Sequence, residues 1–152
     1  MRRVQSWVHG YRRGSVTRRL LGIKILAVLD WELSTLGDPL ADFAYHCMSW
    51  HIPPDKFRGM AGLPIEELGI PSEAQYVKRY CERTKRKSIE QSHWDFYLAY
   101  NLFRIAAICQ GIAKRVLDGT AASQHAQEAA SKTVPLAGLG WQQVEKILRR
   151  AA

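Results

Sequence analysis

Along this chain the apolar positions change period once, from short continuous runs near the start to a helical recurrence that fills the rest. The segment Ile23-Lys24-Ile25-Leu26-Ala27-Val28-Leu29 is short, β-branched and apolar, and it stops at Asp30-Trp31-Glu32. That pattern predicts a buried strand ending in polar chemistry. Val4–His9 predicts a second short strand. Asp38-Pro39 then opens a helix, with Asp38 suited to accept backbone N–H groups and Pro39 suited to the first helical position. This helix is expected to reach about Trp50 and to stop before Pro53-Pro54. Residues 51–71 hold four prolines and three glycines, which predicts a long loop with a helical turn near Ile65–Leu68.

Two Ser-x-x-Gln boxes follow. Ser72 with Gln75 predicts the start of a helix running to about Lys85, and Ser88 with Gln91 predicts the start of the next. In that next helix Trp94, Tyr97, Leu98, Asn101, Leu102, Ile105, Ile108, Cys109, Ile112 and Val116 recur at helical spacing, and Gly119 can end it. A last helix is expected over about Ala121–Arg149, kinked or broken by Pro135. The fold class is therefore α+β and mostly α, a short β segment followed by about four helices, with no βαβ alternation.

Composition changes this picture in one place. Hydrophobic residues make up 47% of the 152, enough for a core, and charged residues 24%, which excludes wholesale disorder. The net charge of +8 is concentrated: residues 1–24 carry seven basic residues and no acid, whereas residues 25–152 carry a net +1. Nucleic-acid binding, which wants a basic face spread over a fold, is not expected. Lys78–Lys87, with six basic residues against Glu82, reads as a solvated helix end. Cys47, Cys81 and Cys109 form no CxxC pair and share no zinc spacing with the five histidines, so a reduced, cytoplasmic chain is expected. The longest uninterrupted apolar runs, Ile25–Leu29 and Ile105–Cys109, are too short to span a bilayer, so no membrane partner is expected.

The densest chemistry lies between Asp30 and Asp42, where Asp30, Glu32, Asp38 and Asp42 stand among apolar residues. A carboxylate at the end of a buried strand is costly without a partner or a metal. One or two carboxylates there suit Mg²⁺, which keeps further positions for substrate phosphates. Glu32 lies two residues from Asp30, hence on the same face of a continuing strand, as a second ligand or as the partner of a basic residue. Asp38 is explained by capping alone, and Asp42 by an ion pair.

The stretch Val28–Tyr45, VLDWELSTLGDPLADFAY, resembles the metal-binding segment of the aminoglycoside phosphotransferase and choline kinase-like family. Leu98–Arg115, LAYNLFRIAAICQGIAKR, is similar to the subgroup whose kinase-like domains are fused to acyl-CoA dehydrogenases. The resemblance implies the C-terminal lobe of a protein-kinase-like fold over residues 25–152. It implies ATP as phosphoryl donor, a small-molecule hydroxyl acceptor, and Asp30 on Mg²⁺, with Glu32 beside it and Asp38 and Asp42 in structural roles near the site. On the long helix Trp94, Tyr97 and Arg104 become candidates for acceptor binding, with a core role as the plain alternative for the aromatics.

The same resemblance exposes a departure. The family's catalytic loop reads HGDxxxxN; here Val8-His9-Gly10-Tyr11-Arg12-Arg13-Gly14-Ser15 keeps His9-Gly10, lacks the Asp, and puts Ser15 where the Asn belongs. Residues 1–24 thus form a basic, divergent catalytic-loop region in which only His9 and Ser15 remain as remnants. No phosphate-binding glycine loop or lysine strand of an N-terminal lobe is found in the sequence. The expectation is a partial small-molecule kinase, inactive alone, which pairs with an N-lobe or self-associates. The alternative is a non-catalytic binding or interaction module built on the same lobe.

Overall fold

The computed structural model describes residues 36–151. Both expected strands lie outside that range. Among the described residues the structure is helical, with five α-helices and one 3₁₀ turn and no strand, a mostly α fragment of a kinase-like fold.

Helix α1 spans Pro39–Cys47 and passes directly into a 3₁₀ turn, Met48–Trp50. Pro39 is its first residue and Asp38 stands just before it, as the sequence predicts. Leu40, Phe43, Ala44 and Cys47 recur at helical spacing and are buried. The proline-rich loop then folds back on the 3₁₀ turn: Met60 N–H donates to Ser49 O at 2.7 Å and Ala61 N–H to Ile52 O at 3.0 Å. This return needs Gly59, because a Cβ there would lie 1.7 Å from the Ile52 carbonyl oxygen. The helical turn expected near Ile65–Leu68 is present, closed by Leu68 N–H to Ile65 O at 3.1 Å and Gly69 N–H to Glu66 O at 3.0 Å.

Helix α2, Glu73–Thr84, begins at the predicted capping box. Gln75 N–H donates to Ser72 Oγ at 3.3 Å, and Ser72 N–H donates to Gln75 Oε1 at 3.1 Å. It ends at Lys85, whose φ of 57° puts a non-glycine residue in the left-handed region.

Helix α3, Gln91–Leu117, is the spine of the unit formed from Leu40 onward. The second Ser-x-x-Gln box is not used: Glu90, not Ser88, occupies the cap position, and its side chain makes no capping bond. Ser88 lies two residues too early, because the chain leaving Lys85 forms no helix until Gln91. One stripe of α3, including Leu98, Leu102, Ile105, Ala106 and Cys109, is buried. By length and composition this helix could cross a membrane, with a mean hydropathy of 1.2 over its most apolar window, so short apolar runs alone did not exclude a span. A mostly buried core helix of a water-soluble protein meets the same criterion; here 39% of the window is buried, and α3 also carries Asp95, Arg104, Lys114 and Arg115.

The expected final helix is two. Residues 121–125 are not helical, α4 covers Ala126–Ser131, and α5 covers Thr133–Ala151. The break falls at Lys132 because Pro135 cannot donate a backbone N–H to the preceding turn; it fits only within the first turn of a new helix. Helix α5 packs along α3 in the opposite direction, with Gly140 against the Phe103 ring and Gln143 and Arg150 on Asp95. Asp95 is 4% exposed, so its charge requires these partners; Gln91 Nε2 also donates to it, at 2.9 Å.

Candidate functional site

The family-like segment Val28–Tyr45 enters the described residues at its second half. Asp30, Glu32, His9 and Ser15 lie outside them. Asp38 is exposed at the position preceding α1. Asp42 is exposed in the first turn, where a carboxylate faces the positive end of the helix, and it pairs with no described cation. Among the described residues no group of three or more His, Cys, Asp or Glu side chains is placed to hold a metal ion.

An aromatic cluster holds α1 in place. Phe43 stacks on Tyr80 with centroids 3.8 Å apart, and Tyr76 lies 5.6 Å from Phe43 and 5.2 Å from Trp50. Trp50 Nε1–H reaches Pro71 O at 3.1 Å, tying the loop to the 3₁₀ turn. Beneath the cluster, burial and then the Glu73 carboxylate push the Cys47 thiol far up, and burial also raises the Tyr76 phenol and the Cys109 thiol. These groups are held neutral, as core members rather than nucleophiles.

The three acceptor candidates on α3 separate. Trp94 is 6% exposed and donates Nε1–H to Glu73 Oε1 at 3.1 Å, an oxygen that also lies 2.8 Å from His51 Nε2. Tyr97 is half-buried, with its ring edge-on to Phe96. Arg104 is exposed and lies over the Tyr45 ring, 5.4 Å from its centroid. Ten residues of helix rise by about 15 Å. Trp94 therefore looks toward α2, while Arg104 sits on the last turn of α1. Arg104 meets the family-like segment through Tyr45, and Trp94 meets it through Phe43, with ring centroids 5.6 Å apart.

Two residues in this arrangement had no distinct signal in the sequence. Asn101, read there only as one more position of the apolar stripe, is fully buried and donates Nδ2–H to Ala41 O at 2.8 Å, pinning α3 to the first turn of α1. Glu73 joins His51 to Trp94 across gaps of more than twenty residues, beyond the reach of any local motif.

The model of the phosphotransferase enzyme family matches residues 3–86, more than half of the chain. The chain belongs to this family. That match takes in both the Val8–Ser15 stretch and the Val28–Tyr45 segment. Acyl-CoA dehydrogenase family member 10 of Mus musculus is 44% identical over 120 residues, covering 78% of this chain and 11% of that protein. Acyl-CoA dehydrogenase family member 11 of Homo sapiens is 34% identical over 139 residues, covering 91% of this chain and 18% of that protein. The names agree with the subgroup suggested by Leu98–Arg115, and the chain spans less than a fifth of the length of these relatives. No solved structure matches.

Proposed function

We propose that this chain supplies the metal-binding part of the helical lobe of an ATP-dependent phosphotransferase whose acceptor is a small-molecule hydroxyl. The observation that carries the reading is the family match over residues 3–86, which spans Asp30 in its motif. In this reading the Asp30 carboxylate holds Mg²⁺, with Glu32 as a second ligand or as its orienting neighbour. Bound Mg²⁺ neutralises charge on the transferring phosphoryl group. Asn101 and Arg104 act from α3, one on the Ala41 carbonyl and one on the Tyr45 ring, and so fix α1, which carries the end of the Val28–Tyr45 segment.

The residues that follow Gly10 favour binding over turnover. Tyr11 comes directly after His9-Gly10, so no carboxylate in this loop can orient the acceptor hydroxyl or take its proton. Loss of a positioned base costs a factor of about 10² to 10⁴. The chain thereby acts as a nucleotide- and metal-binding module, with transfer slow or absent.

Calorimetric titration of the full chain with ATP, with and without Mg²⁺, tests this. Mg²⁺-dependent ATP binding is expected, weakened at least about tenfold by Asp30→Asn. Mg²⁺-ATP binding that Asp30→Asn leaves unchanged would remove Asp30 from the site. Inserting Asp between Gly10 and Tyr11 is expected to raise ATP hydrolysis above that of the unaltered chain.

A further inference from the structure

Between α2 and the first turn of α3 lies a cleft of about 640 Å³. Its size falls within the range of about 300 to 1,000 Å³ typical of small-molecule sites. Val77, Ile89 and Trp94 give it an apolar lining, and Lys78, Arg86 and Lys87 line it too. Among the described residues none of these three side chains has a carboxylate or hydrogen-bond partner, although Glu82 also lines the cleft, four residues from both Lys78 and Arg86. Elsewhere on the helices such pairs do form: Lys114 bonds Asp118 and Arg149 bonds Glu145. The remaining carboxylate of the cleft, Glu73, is engaged by His51 and Trp94. Lys85 contributes through its backbone. Its left-handed conformation, fixed by Arg86 N–H to Cys81 O at 2.9 Å, turns the chain so that Arg86 and Lys87 come back over the end of α2.

We propose that this cleft binds a small amphipathic anion, its apolar body against Val77, Ile89 and Trp94 and its phosphate or carboxylate group on Lys78, Arg86 and Lys87. Guanidinium and ammonium groups without internal partners offer charge-assisted hydrogen bonds to such a head group. The apolar lining excludes a bare anion as the best ligand, since burying the body adds free energy in proportion to its area. The site does not involve Asp30 and stands whether or not the chain binds Mg²⁺-ATP.

Calorimetry of the full chain with octyl phosphate below its micellar concentration tests the proposal, with octanoate as the carboxylate arm. Octyl phosphate is expected to bind once per chain, at least about tenfold more tightly than inorganic phosphate or octanol. Replacing Lys78, Arg86 and Lys87 together by Gln is expected to weaken it by a similar factor. Ala74→Trp, which fills the cleft from an exposed position of α2, is expected to abolish binding. Arg79→Gln, outside the cleft, is expected to leave it unchanged. The proposal is overturned if no saturable binding occurs, if inorganic phosphate binds as well as octyl phosphate, or if the triple variant and Ala74→Trp both keep full affinity while remaining helical.

Discussion

Two side chains behave differently from what their residue types suggest. Asn101 uses its amide N–H on Ala41 O, but its Oδ1 is buried with no hydrogen-bond partner among the described residues. An orphaned buried acceptor costs about 1 to 3 kcal/mol, which offsets much of what the Ala41 bond contributes. Asn101→Leu, which keeps the number and branching of the side-chain heavy atoms and removes both, is therefore expected to change stability little. Asn101→Ala, which also leaves a cavity, is expected to lose about 2 kcal/mol in urea unfolding. Equal losses in the two variants would show that the bond outweighs the orphan. Cys47 carries a pH dependence. Its folded-state pKa lies above the ordinary 9.0, so its contribution is fully present below pH 9. As pH rises past that point the unfolded thiol ionises while the buried one does not, and stability falls by about 1.4 kcal/mol per pH unit for each such thiol. Burial raises the Cys109 thiol as well, which acts in the same direction. Urea midpoints are expected to drop between pH 8 and pH 10, and Cys47→Ala, less stable overall, to show a shallower drop.

Helix ends show how much of the fold could be read in advance. The Ser72–Gln75 box was legible because both halves of the device are local, and the helix starts where it says. The Ser88–Gln91 box has the same letters but lies too close to α2: the chain must first leave the left-handed Lys85, so the helix begins at Gln91 under a cap that makes no side-chain bond. Pro135 marked a break correctly in kind, and the backbone rule that proline fits a first turn places it at Lys132. Lys85 itself was not legible, because glycine is the residue that signals this conformation. The candidate site was legible only through motif resemblance at Val28–Tyr45, and its link to Asn101 and Arg104 required the packing of α3 on α1. Lys85 yields a direct prediction. A non-glycine residue at φ 57° carries a cost of about 1 kcal/mol that glycine avoids. Lys85→Gly is expected to raise the urea midpoint by a corresponding amount, and a lower midpoint would mean that the Lys85 side chain contributes more than its backbone costs.

The whole described unit is organised on α3. Helices α4 and α5 pack against it, as does the 3₁₀ turn, and Asn101 and Trp94 tie it to α1 and α2. A helix of this length and hydropathy has two possible environments, a bilayer or a protein core, and they leave different marks. In a bilayer Asp95, near the start of the helix and outside its most apolar stretch, would lie at the interface with water and would need no protein partner. Here it receives two glutamine amides and the Arg150 guanidinium, all from α3 and α5. The apolar stripe through Leu98, Leu102, Ile105 and Cys109 is at most 6% exposed, so its burial is already complete within the chain. Amides of residues 98–109 are therefore expected to exchange with solvent only through global unfolding, at the free energy given by urea melts, while loop amides of residues 53–64 exchange faster. Neutral lipid vesicles are expected to change neither pattern and to leave the chain in the supernatant. Protection of α3 that rises with added vesicles, together with co-sedimentation, would assign the helix to the membrane instead and leave the Asp95–Arg150 pair as an arrangement of the water-soluble state alone.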